Sequence, residues 1–197
     1  MIGKSLFSAT VATFSLTLPT ALPQASEPVL LRTSLLVKDA EVSVRFYELL
    51  GFRTETDMSS PRQPEGNFFP VNAPSTRTRL VIMASASGNG GRIGLVEFSD
   101  PEPADNRLDA KRTGIGDVVL VFDVTDAEVI HGRLRDAGVT IIEPPQVYLS
   151  KKIAPDGLPM RGRVFHVKDP DDYLIELLEA PQPITSEKSA PEGLIWR

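Results

Sequence analysis

The apolar residues in the first half of the chain follow two different spacings. Val42, Phe46 and Leu49 recur at intervals of three and four residues, which places their side chains on one face of a helix. The shorter apolar runs at 77–84 and 91–98 have the length and residue types of strands. Together with the opening run LLRTSLLV, they predict a strand, then a helix, then further strands.

A short sequence repeat connects the two halves of the chain. VKDAEV in the first half recurs as VTDAEV in the second. Asp39 and Asp126 stand within the repeat where an N-cap accepts hydrogen bonds from the first N–H groups of a helix. Gly51 and Gly138 follow the two helical stretches and supply the left-handed conformation that commonly ends a helix. The repeat predicts the same supersecondary unit twice.

The predicted elements add up to an α+β fold made of two βαβββ modules. In the second half, further strands are predicted at 139–149, 162–167 and 173–179. Each module leaves an apolar sheet face that needs a covering layer. The predicted boundaries are 29–101 for the first module, 102–116 for a linker, 117–180 for the second module and 181–197 for a C-terminal tail. Long connections are expected at 59–76, 100–116 and 150–161, where loops commonly border sites.

Composition narrows the class of function. The chain has 197 residues, of which 41% are hydrophobic, enough for a sizeable core. Its net charge of −5 argues against nucleic acid as the main partner. The absence of cysteine excludes disulfides, thiolate metal sites and cysteine nucleophiles.

The first 28 residues have the composition of a secretory signal. Lys4 precedes a weakly apolar run, and a cleavage site is plausible after Ala25. We therefore predict a signal peptide at 1–25 and export to the periplasm or the extracellular space. No other stretch approaches the ~20 apolar residues that span a membrane, so no membrane association is expected once the signal is removed.

Four segments of the chain resemble the vicinal oxygen chelate superfamily, which includes glyoxalases, bleomycin-resistance proteins and extradiol dioxygenases. They are LLRTSLLVKDAEVSVRFYELLGF, GLVEFSDP, LVFDVTDAEVIHGRLRDAGV and RVFHVKDPDDYLIELLE, and the resemblance covers residues 30–180. It implies two βαβββ modules whose sheets form a half-open barrel around a central pocket for a small molecule. It also implies a homodimer. Asp172 replaces the glycine of the usual DPDG turn, and Asp tolerates the left-handed conformation.

The resemblance also implies a metal site, which these residues fit poorly. Arg32 and Val119 stand where the superfamily usually has histidines, and Glu97 and Glu176 stand at its carboxylate positions. Arginine stays protonated and has no lone pair to give, and valine has no donor atom. We therefore expect no metal cofactor. If a divalent metal does bind, its ligands are expected to be Glu97, Glu176 and Asp117.

Glu176 is unusual because it lies between Ile175 and Leu177 in a segment apolar enough to be buried on both faces. LVEF and LIEL end the two modules, which makes Glu97 its expected counterpart. With two carboxylates nearby, Arg32 can form a charge-assisted network in place of a metal. We predict an Arg32–Glu97–Glu176 cluster, which has either a functional or a purely structural role.

Other side chains are candidates for the same pocket. His166 lies three residues before the first Asp of the DPD turn, and an imidazole there can act as a general acid or base near neutral pH. The predicted catalytic residues are therefore Glu176, Glu97 and His166. The predicted substrate-binding residues are Arg32, Val119, Asp117 and Tyr148.

Three functions remain open at this point. The first is a metal-independent lyase or isomerase that uses Glu97 or Glu176 as base, His166 as acid and Arg32 to hold an anionic oxygen. The second is a non-catalytic binding or sequestering protein of the bleomycin-resistance type. The third is a metal-dependent glyoxalase or dioxygenase whose ligand set is rearranged to use Asp117 and His166. A fold alone does not choose among them.

Overall fold

Each half of the chain contains one ten-residue helix whose start is fixed by an aspartate. Helix α1 spans Ala40–Leu49, and Asp39 accepts hydrogen bonds from the backbone N–H groups of Glu41 and Val42 at 2.8 and 3.1 Å. Helix α2 spans Ala127–Asp136, and Asp126 caps it by accepting the backbone N–H of Val129 at 3.0 Å. The predicted caps and helices are confirmed.

A glycine in the left-handed region follows each helix, as the sequence predicts. Gly51 has φ of 86° and Gly138 has φ of 76°. A residue with a Cβ is strained at such angles. The two glycines therefore end the helices and turn the chain into the next strand.

The structure is a computed structural model that describes residues 29–61, 75–88, 90–103, 114–184 and 195–196. The predicted signal peptide at 1–25 lies outside these residues, as does most of the expected loops at 59–76 and 100–116. From Leu31 onward the chain forms one compact unit. No helix in the described segments is long and apolar enough to cross a membrane.

The first module forms a four-stranded sheet of order β1-β4-β3-β2. Strand β1 pairs with β4 in parallel, and the remaining pairs are antiparallel. The strands are β1 (Thr33–Val37), β2 (Phe52–Pro61), β3 (Arg77–Ser85) and β4 (Arg92–Ser99).

The second module repeats this arrangement and adds one short strand, giving the order β5-β8-β7-β6-β9. The strands are β5 (Val119–Val124), β6 (Ile141–Ile153), β7 (Pro159–Lys168), β8 (Leu174–Pro183) and β9 (Ile195–Trp196). The α+β class and the two βαβββ modules are thus confirmed, and the two sheets do not close into a barrel.

Two predicted segments need correction. The loop expected at 150–161 is instead a hairpin, because β6 continues to Ile153 and β7 begins at Pro159. Part of the tail expected at 181–197 is also in strands, since β8 reaches Pro183 and β9 pairs with β6 in parallel. Pairing with a neighbouring strand extends β6, β7 and β8 beyond their apolar runs. The pattern of apolar residues does not predict such extensions.

One face of each sheet packs against the helices to form a shared core. Leu95 of β4 and Leu177 of β8 are both fully buried in it. Phe52 and Phe122 meet edge to face across the two modules, with ring centroids 5.3 Å apart. Burying one such side chain contributes roughly 1.5–3 kcal/mol, so the shared core joins the modules.

Polar contacts join the turn between β7 and β8 to the first module. The Tyr47 hydroxyl donates to Asp169 Oδ2 at 2.9 Å, and the Ser43 hydroxyl donates to Asp171 Oδ2 at 3.2 Å. All four side chains are buried. Asp172 completes the turn with φ of 65°, the left-handed conformation expected where DPDG has glycine.

Candidate functional site

Three ionisable side chains meet on adjacent strands of the second sheet. His166 on β7 lies directly opposite Glu176 on β8 in the antiparallel register. The Nε2 atom of His166 is 3.2 Å from Glu176 Oε2, and its Nδ1 atom is 2.6 Å from Glu143 Oε1 on β6. We call Glu143, His166 and Glu176 the proton-transfer cluster.

The alternation of side chains along β7 and β8 explains this meeting. Ile175 and Leu177 are fully buried in the core, so Glu176 between them points to the opposite face of the sheet. Phe165 and Val167 are likewise in the core, and His166 between them points the same way as Glu176. The two predicted residues are thus adjacent on one face of the second sheet.

The sequence analysis missed Glu143. The pairing of β6 with β7 shifts register on both sides of it, between Ile141 and Glu143 and again between Glu143 and Gln146. Such bulges change which face a residue occupies, and alternation then no longer predicts its direction. A signal was present nevertheless, since Glu143 is an isolated carboxylate in the apolar context IIEPP.

Both contacts of His166 can be hydrogen bonds only if a hydrogen atom lies in each of them. A carboxylate accepts only, and a neutral imidazole has one N–H and one lone pair. Two hydrogen bonds therefore need either an imidazolium that donates from both nitrogens, or a neutral imidazole beside one protonated carboxyl group. In both cases the cluster holds a proton that can be passed on.

Glu97 does not lie on the face occupied by the proton-transfer cluster in the second module. Its Oε2 accepts the backbone N–H of Ala40 at 2.9 Å, at the start of α1. Glu179 does the same for Ala127 at 3.0 Å, at the start of α2. A negative charge at a helix N-terminus is favourable. The true counterpart of Glu97 is therefore Glu179, and the pairing with Glu176 was wrong.

The strand registers place Gly94 at the position that corresponds to Glu176. Gly94 lies opposite Ser34 in the first module, as Glu176 lies opposite Val121 in the second. The Arg32 side chain packs over this glycine, where an added Cβ would come within 3.1 Å of Arg32 Nε. Arg32 Nε also donates to the Ser34 hydroxyl at 3.2 Å. Arg32 therefore packs over Gly94, which has no side chain, and does not lie between Glu97 and Glu176.

The metal site that the resemblance implies does not fit this chain. Its four positions correspond here to Arg32, Gly94, Val119 and Glu176, which provide a single donor side chain. Within the described segments, no three His, Cys, Asp or Glu side chains form a group that could hold a metal ion. The geometry of Glu143 and Glu176 agrees with this, because they contact opposite nitrogens of His166 and do not converge on one point.

The alternative ligand Asp117 lies elsewhere. It is exposed in the turn before β5, where its Oδ2 accepts the backbone N–H of Gly114 at 2.6 Å. The role of this carboxylate in the structure is to stabilise that turn. Asp117 therefore cannot replace the missing donors without a rearrangement of the turn.

The other two predicted substrate-binding residues lie in different surroundings. Val119 is exposed on the edge strand β5, two residues before Val121, which lies next to Glu176 in the register. Tyr148 is buried against Gly162, and its hydroxyl donates to the backbone oxygen of Glu179 at 3.1 Å. Val119 therefore borders the cluster, whereas Tyr148 supports the sheet.

A cleft of about 400 Å³ lies away from the proton-transfer cluster, and none of the three cluster residues lines it. It is bordered by α1, by the segment that leads into β6, and by the end of β7. Arg45, Phe46 and Lys168 are among its lining residues. The proton-transfer cluster and this cleft are thus in different places.

Comparisons with known proteins agree with the fold. A family model described as the Glyoxalase/Bleomycin resistance protein/Dioxygenase superfamily matches residues 29–177. The chain is similar to a glyoxalase family protein from Bacillus cereus, with 18% identity, a TM-score of 0.58, and coverage of 81% of this chain and 98% of the other. It is also similar to a glyoxylase/bleomycin resistance protein/dioxygenase domain from Frankia sp. EAN1pec, with 22% identity, a TM-score of 0.50, and coverage of 79% and 93%. A search of curated proteins finds no match.

Proposed function

Because the chain belongs to the Glyoxalase/Bleomycin resistance protein/Dioxygenase superfamily, we propose that it acts on a small molecule by metal-independent proton transfer. The reaction class is that of a lyase or isomerase. The observation that carries the proposal is the contact of His166 with Glu176 on one face of the second sheet. A carboxylate and an imidazole at this distance form an acid–base pair.

In this proposal Glu176 is the base and His166 the acid. Glu176 removes a proton from a carbon next to a carbonyl group, and the Nε2–H of His166, beside Glu176, donates its proton to the oxygen where negative charge develops. The burial of Glu176 supports this assignment, since its side chain is only 12% exposed. Glu97 is no longer a candidate base, because it caps α1.

Arg32 is the proposed anion-binding residue. The residue is half-buried, and among the described residues its guanidinium makes one hydrogen bond, to the Ser34 hydroxyl. Guanidinium groups bind carboxylates and enolate oxygens through two parallel N–H donors. We propose that a carboxylate or enolate of the substrate takes this position.

A second candidate function is binding without turnover. Val121 is 56% exposed beside Glu176, and Val119 is exposed on the same strand and face. Apolar side chains next to a few polar groups are typical of ligand pockets. This favours a sequestering role of the bleomycin-resistance type as the alternative.

The two functions are separated by one pair of variants. Glu176→Gln keeps the shape of the side chain and removes its basicity, whereas Val121→Asp disturbs the apolar surface beside it. Turnover of small carbonyl acids is measured by NMR for each protein, and the affinity for the same compounds is measured by calorimetry. Under the proposed function, Glu176→Gln lowers turnover by at least about a hundredfold and leaves affinity nearly unchanged. The sequestering role is established instead if the wild type binds the compounds without turning them over. In that case Val121→Asp loses binding and Glu176→Gln keeps it.

A further inference from the structure

Exposure to water decreases stepwise along the proton-transfer cluster. The Glu143 side chain is 45% exposed, that of His166 is 19% exposed, and that of Glu176 is 12% exposed. The contacts run in the same order, with 2.6 Å from Glu143 to His166 Nδ1 and 3.2 Å from His166 Nε2 to Glu176. The cluster is thus a line of hydrogen-bonded groups that leads from solvent to the shielded carboxylate.

From this geometry we propose that the cluster is a proton relay, in which Glu143 exchanges protons between bulk water and His166. Glu143 is a positioning residue in this scheme, since it acts on Glu176 only through the imidazole. The relay itself rests on the contacts above. Its use in turnover rests on the function proposed for Glu176.

The steps of the relay balance without any other reactant. A proton on Glu176 moves to His166 Nε2, the Nδ1 proton moves to Glu143, and Glu143 releases it to water. The O–H bond of Glu176 breaks, an N–H bond forms at Nε2 while the one at Nδ1 breaks, and at Glu143 an O–H bond forms and then breaks as the proton passes to water. The imidazole ends as its other tautomer.

Running the relay in reverse restores the starting tautomer. A solvent proton enters through Glu143, passes to Nδ1, and the Nε2 proton returns to Glu176. An isomerisation uses both directions, because one carbon loses a proton and another gains one. The product then carries hydrogen from the solvent. A structural ion pair of the same three residues would not exchange the substrate hydrogen in this way.

The relay can be tested without any substrate. The exchange rate of the His166 ring N–H protons with water is measured by NMR on the full chain labelled with ¹⁵N-histidine. Glu143→Gln is the informative variant, because its amide oxygen still accepts a hydrogen bond from Nδ1–H but cannot carry a proton. The control is Glu128→Gln, which removes a carboxylate that faces Arg163 on the other side of the sheet.

We expect exchange at His166 to slow by at least about tenfold in Glu143→Gln and to stay unchanged in Glu128→Gln, with amide spectra showing that both variants are folded. Glu143→Asp should restore part of the rate. If the ring N–H protons of His166 exchange in Glu143→Gln at the wild-type rate, the relay is overturned and Glu176 remains a base without it. If exchange slows as expected but no compound is turned over, the proposed function is overturned and the relay stays in place.

Discussion

Tyr47 of the first module donates its hydroxyl proton to Asp169 of the second at 2.9 Å. Tyr47 is fully buried, and Asp169 is only 5% exposed. Burial is the main cause that raises the pKa of Asp169 to about 6, and the charge of Asp171 adds to it. Burial, followed by the charge of Asp169, also raises the pKa of Tyr47 above its ordinary range. The contact between modules therefore contains a carboxyl group that titrates near neutral pH.

This contact predicts that stability falls as the pH rises through about 6. In the native state the pKa of Asp169 is raised from 3.8, so the native protein binds the proton more tightly than the unfolded chain does. The stabilisation is complete below pH 4 and is lost as Asp169 ionises. A shift of this size corresponds to about 3 kcal/mol.

The measurement is the free energy of unfolding in urea from pH 4 to pH 8, for the wild type and for Asp169→Asn. Asparagine does not titrate, so the difference between the two proteins isolates Asp169. We expect the wild type to lose about 3 kcal/mol relative to the variant across this range. Parallel pH profiles for the two proteins would show that Asp169 is not shifted.

Removing the Tyr47 hydroxyl should destabilise the protein, and more so at high pH. Tyr47→Phe leaves a buried oxygen of Asp169 without this donor, which costs roughly 1–3 kcal/mol. The loss should be larger at pH 8 than at pH 5, because an ionised carboxylate needs the donor more than a neutral one. The matched control is Tyr173→Phe, since the Tyr173 hydroxyl donates to the Leu36 backbone oxygen at an exposed site. Equal losses at both pH values would contradict the role given to the Tyr47 contact.

Metal binding should require more than one substitution. The four positions corresponding to a superfamily metal site hold Arg32, Gly94, Val119 and Glu176, and restoring a single histidine leaves two donors. We expect Arg32→His alone to leave metal affinity unchanged. The triple variant Arg32→His, Gly94→Glu, Val119→His should bind Ni²⁺ or Zn²⁺ with at least about a hundredfold higher affinity than the wild type.

Calorimetric titration of the folded proteins checks this prediction, with the same triple variant carrying Glu176→Gln as the control. The control should bind more weakly, by at least about tenfold. Tight binding by Arg32→His alone would mean that other donors lie within reach of residue 32. No binding by the folded triple variant would show that the four positions do not converge.

The helices, their caps and most strands were predictable because their signals are local. Asp39 and Gly51 act through the backbone of their own helix, and a run of apolar residues marks a buried strand wherever it pairs. Glu176 and His166 were also predictable as residues of one pocket, because each stands alone between core residues on its strand.

The errors at the candidate site concern register, which is a property of two paired strands and not of one. LVEF at 95–98 resembles LIEL at 174–177 in sequence. The pairing of β1 with β4 and of β5 with β8 instead aligns LVEF with LLEA at 177–180, three residues further along. An odd shift reverses the direction of every side chain, which moved Glu97 to the wrong face. Glu143 was missed for the related reason that bulges on β6 break the alternation.

The corrected register makes a final prediction about Glu97 and Glu179. Each accepts the first N–H of a helix, Ala40 or Ala127, and a negative charge at this position contributes about 1 kcal/mol. Glu97→Gln and Glu179→Gln should therefore lose similar amounts of stability, about 1 kcal/mol each, and expose the amides of Ala40 and Ala127 to faster hydrogen exchange. Neither should move the ring resonances of His166, whereas Glu176→Gln should move them and leave both amides protected. A response of His166 to Glu97→Gln would restore the original pairing of Glu97 with Glu176, because only a carboxylate on the face of the cluster can sense the imidazole directly.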